Sequence, residues 1–168
     1  MLDEDETVVA GSAGEPLAAP GRLSALAGTV GTPAVREIRA DEVRRFLLAT
    51  DPGGGSRQER QAPAVRAGDV VPPTFFCPDP IVAAESMDLA RPRPYARNID
   101  GGSEWEVGRP VRVGDVLTLV PRIAEVVERV TGDGRRMATT VLEVTAWNQA
   151  GEQVGVARGR CLSYEDRA

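Results

Sequence analysis

The chain has 168 residues and a mass of 17.9 kDa, the size of one domain carrying at most a tail. Apolar residues make up 42%, which excludes wholesale disorder, while no apolar run approaches the roughly 18 residues of a transmembrane helix. The net charge of -5 is concentrated in Asp3, Glu4, Asp5 and Glu6, and nothing in the remainder forms a nucleic-acid footprint.

Two residue types are missing altogether. There is no histidine, so no Ser-His or Cys-His nucleophile, no His general base and no His metal ligand exists in this chain. There is no lysine either, and all 20 basic residues are arginine, which removes Schiff-base chemistry and a P-loop lysine. Arg with Ala, Gly, Val and Pro in place of Lys, Ile, Asn and Phe is the mark of a GC-rich genome, not of a function. Cys77 and Cys161 stand far apart, outside any CxxC spacing. No disulfide framework, metal site or cofactor is expected, and the expected compartment is a reducing cytoplasm. The acidic start, MLDEDETVVA, does not read as a secretion signal.

Residues 1–21 are acidic, then small and rich in Pro and Gly, and read as a solvated leader before a domain at 22–168. Residues 22–30 have room for one helical turn. The first clear helix spans 40–50, where Val43, Phe46 and Leu47 form one apolar stripe and Asp41 and Glu42 occupy the dipole-favoured first turn. Arg39 is a poor cap, and Asp51, Pro52 and three glycines end the helix. Residues 51–68 read as a polar loop. Pro72 and Pro73 call for an extended entry to a second helix, capped by Asp79 with Pro80 at its first position and running to Asp88. The stretch ARPRPYARN reads as a linker.

From about residue 99 the pattern turns to strands, near 103–110, 115–130, 136–148 and 153–164. Their turns are Val113-Gly114-Asp115, Gly132-Asp133-Gly134 and Asn148-Gln149-Ala150-Gly151. In the third of these strands Ala138, Leu142, Val144 and Ala146 share one face, with Thr139, Glu143 and Thr145 on the other. Pro121 predicts a bulge or an edge position. A helical half followed by a long-stranded antiparallel meander is an α+β architecture.

The stretch GGSEWEVGRPVRVGDVL, residues 101–117, resembles the hot-dog fold of MaoC-like acyl-CoA dehydratases, and more narrowly their N-terminal, FAS1-like dehydratase half. Arg109-Pro110 followed by Gly114-Asp115 before a long strand carries the likeness. REIRADEVRRFLLATDP resembles the first strand and helix of that family. VPPTFF resembles its proline-rich entry to the central helix, and TTVLEVTAWNQAGEQVGVARGRCLSY its paired final strands. The resemblance covers about residues 31–165 and implies a single hot-dog domain, a long antiparallel sheet wrapped around a central helix.

In the catalytic branch the resemblance implies an Asp and a His in a D-x-N-x-x-H pattern after the first helix. That pair would act on a water and on the substrate α-carbon in trans-2-enoyl thioester hydration, with a backbone N–H at a helix N-terminus polarising the thioester carbonyl. Here Asp51 stands at the Asp position, Gly53 at the Asn position and Ser56 at the His position. Serine does not titrate near neutral pH, so Asp51 reads first as a turn residue before Pro52 and second as a catalyst. Gly53, Gly54 and Gly55 lack the Lys and Ser/Thr of a P-loop and read as a loop. Asp115 reads as a turn residue before a general base. Arg109 suits an ion pair that fixes its turn, or a CoA phosphate. Trp105 and Trp147 read as core or interface anchors. Phe75 and Phe76 read as lining of the helix–sheet core, with one of them at the border of an acyl channel. Cys77 reads as a small buried hydrophobe, because no base is present to form its thiolate. The substrate-binding candidates are therefore Phe75, Phe76, Trp105 and Arg109.

A hot-dog chain leaves a sheet edge that invites pairing. In the resembling family two such units share one sheet, with the active site at their junction. The implied function is that of a non-catalytic, pocket-shaping subunit of a heteromeric (R)-specific enoyl-CoA or enoyl-carrier hydratase, with Asp and His supplied by a MaoC-like partner chain. A homodimeric binding protein for an acyl thioester or another hydrophobic ligand is the alternative. A third reading is carboxylate-only chemistry at Asp51 or Glu104, as a thioesterase or as a biosynthetic dehydratase or cyclase. No nucleic-acid or membrane partner is expected.

Overall fold

The computed structural model describes residues 23–50, 64–76 and 79–166. The leader, the Gly53, Gly54 and Gly55 loop, Asp51, Ser56 and Cys77 lie outside them, as does the side chain of Phe76. Among the described residues no helix is long and apolar enough to cross a membrane.

The first helix, α1, is Ala40–Thr50, as its apolar stripe predicts. It buries Val43 and packs Leu47 against the core. Its weak start is braced by Arg39, whose Nε donates to Asp41 over 3.1 Å. Its last turn is closed by the Thr50 hydroxyl, which donates to the Phe46 carbonyl over 2.9 Å. After Pro72, a 3-10 turn covers Pro73–Phe76.

The second helix, α2, is Pro80–Ser86. Asp79 caps it: its carboxylate accepts from the backbone N–H of Ile81 at 2.9 Å and of Val82 at 3.1 Å, and Pro80 has no N–H to leave unsatisfied. The helix stops two residues earlier than the sequence suggests. Asp88 takes a left-handed conformation, φ 58°, and the Leu89 N–H returns to the Ala84 carbonyl over 3.0 Å. That is the hydrogen bond of a Schellman stop, with Asp in the position glycine usually fills. Pro80, Ile81 and Ala84 are buried, so this short helix is the central one. Asp79→Ala should lower the unfolding free energy by about 1 kcal/mol, read as a shift in the urea midpoint.

Five antiparallel strands form one sheet in the order β1-β3-β4-β5-β2. They are β1 Ala34–Glu37, β2 Arg97–Val107, β3 Val116–Val130, β4 Arg136–Trp147 and β5 Gln153–Tyr164. The hairpin turns use the expected chemistry. Gly134 and Gly151 sit at φ 83° and 74°, where a side chain would be strained. The Asn148 side-chain oxygen accepts from the Ala150 and Glu152 N–H groups at 3.0 and 2.9 Å.

Two sequence features explain how the sheet tolerates awkward residues. Pro121 lies inside β3 and is buried. Its carbonyl accepts from the Gly31 N–H over 3.0 Å, so its nitrogen also points to that outer side. There β1 has already ended, since its last partner is Leu119, and no strand of the described residues asks for the missing N–H. A bulge follows directly, between Ile123 and Glu125. Gly159 in β5 lies beneath α2: a Cβ there would stand 2.7 Å from Ile81 Cγ1 and 2.9 Å from Pro80 Cγ. The sheet can curl this closely over the helix only because that position has no side chain.

β2 begins earlier than its sequence suggests, at Arg97, and Arg109-Pro110 lies beyond its end at Val107. The reason is the pair Gly101 and Gly102, which does not end the strand but forms an irregularity in it, between the partners Asp100–Cys161 and Ser103–Gly159. β2 pairs with β5 on one side and, among the described residues, is a sheet edge on the other.

Candidate functional site

The end of β2 and the approach to α2 run close together. The Val71 N–H donates to the Val111 carbonyl over 2.8 Å, and Val70 bridges Arg112. Between these segments lies a recess of about 300 Å³, lined by Val70, Val71, Pro72, Pro73 and residues 107–111. Valine and proline side chains make its wall apolar. Prolines suit that place because their backbone nitrogens carry no N–H that needs an acceptor.

Among the described residues, Arg109 is the one ionisable residue in the lining. Its Nη1 stands 3.4 Å from a Glu152 carboxylate oxygen, and the N–H groups of Gly108 and Arg109 both donate to the Val154 carbonyl. The ion pair thus ties the turn after β2 to the start of β5. An apolar recess with one exposed guanidinium at its rim can receive a hydrocarbon chain. Its described lining residues include no group able to move a proton at neutral pH.

The other candidates stand elsewhere. Trp105 is opposite Ala157 in the register, on the sheet face that α2 covers, and is 44% exposed at the open edge. It is two residues from Val107 and is not part of the recess wall. Phe75 packs edge-on against Phe46, ring centroids 5.4 Å apart, with the Arg36 guanidinium 5.3 Å from its ring. It ties the approach to α2 onto α1. Asp115 is a turn residue: its carboxylate accepts from the Arg112 N–H at 2.7 Å and from the Gln149 side-chain amide at 3.1 Å. Cys161 is buried on the helix side. Burial pushes its thiol up, against the opposing effect of Arg91, whose Nη1 is 3.7 Å away, so it stays protonated and unreactive.

One arrangement has no counterpart among the sequence candidates. Glu143, 5% exposed, sits in the middle of β4 on the face away from α2. Arg122 of β3 and Arg158 of β5 each donate to it over 2.7 Å. Burial raises its pKa, but the hydrogen bonds and charges of the two guanidinium groups outweigh that and hold the carboxyl below its ordinary range. The only sequence signal is a lone Glu between apolar residues of a central strand.

Two solved structures place this fold. The C-terminally truncated HadBC (3R-hydroxyacyl-ACP dehydratase) complex from Mycobacterium tuberculosis matches with a TM-score of 0.53 at 19% identity, covering 82% of this chain and 97% of that one. The (R)-hydratase PhaJ1 from Pseudomonas aeruginosa, in its unliganded form, matches with a TM-score of 0.51 at 16% identity, over 84% of this chain and 87% of that one. At such identities the likeness speaks for the hot-dog fold. No curated protein matches the chain in sequence. The family model described as "FAS1-like, dehydratase domain region" matches residues 25–156, which is most of the chain. With its five-stranded sheet curled over α2, the chain belongs to the FAS1-like dehydratase domain family.

Proposed function

We propose that this chain is a non-catalytic, pocket-shaping subunit of a heteromeric (R)-specific enoyl-thioester hydratase or dehydratase. A MaoC-like partner chain supplies the Asp and His. The observation that carries the reading is an apolar recess beside an open sheet edge, in a chain with no histidine. Adding water across an enoyl double bond requires one group to take a proton from water and one to deliver a proton to the α-carbon. The described residues of the recess offer neither, while its valine and proline wall suits an acyl chain and excludes water from it. Arg109 at the rim suits the anionic phosphates of CoA or of a carrier's pantetheine arm. The partner strand lies along β2 and closes the recess beside Val107. Of the similar proteins, HadBC is described as a complex, which fits a two-chain enzyme.

The test is a hydration assay on trans-2-enoyl-CoA substrates of graded chain length. The chain alone should leave absorbance of the conjugated thioester unchanged. Mixed with a His-containing hot-dog chain encoded beside it, it should give turnover and extend the range of accepted chain lengths. Hydration by the chain alone, at the rate of the mixture, would overturn the proposal and return attention to Asp51.

A further inference from the structure

Charges on the outer face of the sheet run in a row from strand to strand. Arg122, Glu143, Arg158 and Glu104 are successive register partners across β3, β4, β5 and β2, so the signs alternate and the row ends on a carboxylate. The short contacts are made with Glu143, at 2.7 Å from both arginines. Those reaching β2 are longer: Arg158 stands 3.9 Å from Glu104 and 3.5 Å from Glu106, and Arg160 stands 3.9 Å from Glu104. The side chains of Glu104 and Glu106 are 51% and 70% exposed. They form the outermost line of a strand that no other strand of the described residues covers.

On this face the register gives β2 four side chains: Arg97, Ile99, Glu104 and Glu106. A second copy related by a two-fold axis perpendicular to the sheet would set residues of this face opposite one another. Wherever the 104–106 halves meet, carboxylate faces carboxylate, which destabilises a strand pair. Two self-pairings would give a carboxylate a cation: Arg97 of the second copy would stand opposite Glu104 in a register centred between Asp100 and Gly101, or opposite Glu106 in one centred between Gly101 and Gly102. Both are centred where the pleat of β2 shifts, and Arg97 is already held by Asp166.

Resting on the heteromeric reading above, we propose that the β2 edge is charge-coded. Glu104 and Glu106 disfavour a second copy of this chain and select a partner strand that carries Arg or Lys opposite them. The alternating row would then continue unbroken into the partner's half of the sheet.

The code can be tested with this chain alone. Sedimentation equilibrium would compare the wild type, the Glu104→Arg/Glu106→Arg variant, and their equimolar mixture, at low and high salt. The mixture should dimerise roughly tenfold more tightly than either component, with the gain shrinking at high salt. Glu104→Gln/Glu106→Gln should self-associate more tightly than the wild type, by a smaller factor. Both positions are exposed, and far-UV circular dichroism verifies that the variants are folded. A wild-type dimer as tight as the mixture overturns the proposal, and so does an absence of association in the mixture. These readouts are independent of hydration, so the charge code can fail while the hydratase assay succeeds, and the reverse.

Discussion

Gly159→Val should lower stability by about 3 kcal/mol, seen as a large drop in the urea midpoint with an unchanged slope. A Cβ alone would come within 2.7 Å of Ile81 and 2.9 Å of Pro80. Ile81 can rotate away, but Pro80 is a ring at the start of a helix anchored by Asp79. Relief would require α2 to lift from the sheet, exposing Ala84 and Ile81, which are buried. Gly132→Ala is the control: no atom lies within 4 Å of a Cβ there and its φ is not positive. It should be neutral or gain up to about 1 kcal/mol by restricting the unfolded chain. Equal midpoints for Gly159→Val and wild type would mean that α2 does not rest on β5 at this position.

Glu143→Ala should cost about 2–3 kcal/mol, near the low end for a broken buried pair, because Arg122 and Arg158 keep some access to water. The remaining guanidinium groups would crowd one another across the vacated position. Glu143→Gln keeps the shape and part of the hydrogen bonding, and should lose less. The pH dependence separates charge from packing. The folded-state pKa of Glu143 lies below its unfolded value, so its stabilisation is complete above the unfolded pKa of about 4.3 and is lost as pH falls through the folded pKa. Denaturation midpoints measured from pH 7 down to pH 3 should converge for wild type and Glu143→Gln at the acid end. A constant gap across that range would show that the carboxylate charge contributes nothing.

The elements with strong local patterning were legible in the sequence. The stripe of Val43, Phe46 and Leu47 and the Asp79-Pro80 pair mark the two helices. Apolar alternation between Gly-containing turns marks β3, β4 and β5 to within a residue. β2 was harder to read, because Gly101 and Gly102 look like a turn and the preceding Pro-Arg run looks like a linker. Only pairing with β5, some 60 residues away in the chain, turns those glycines into a strand irregularity. The recess was partly legible: Pro72 and Pro73 stood out, but not that residues 107–111 fold against them. Glu143 shows the same limit. Its strand and face follow from alternation, yet its burial depends on Arg122 and Arg158, brought beside it by two different hairpins.

The strand order has a consequence for synthesis. The sheet's centre, β3-β4-β5, is a meander of adjacent hairpins made by the last third of the chain, whereas β1 and β2 are added at its two outer margins. A ribosome therefore delivers α1, α2 and both marginal strands before the surface they lie on exists. Until Gly159 has emerged, the apolar side of α2 has only the part of its floor that β3 and β4 supply. Nascent chains stalled before β5 should thus present Ile81 and its neighbours to chaperones, and the whole domain should condense in one late step.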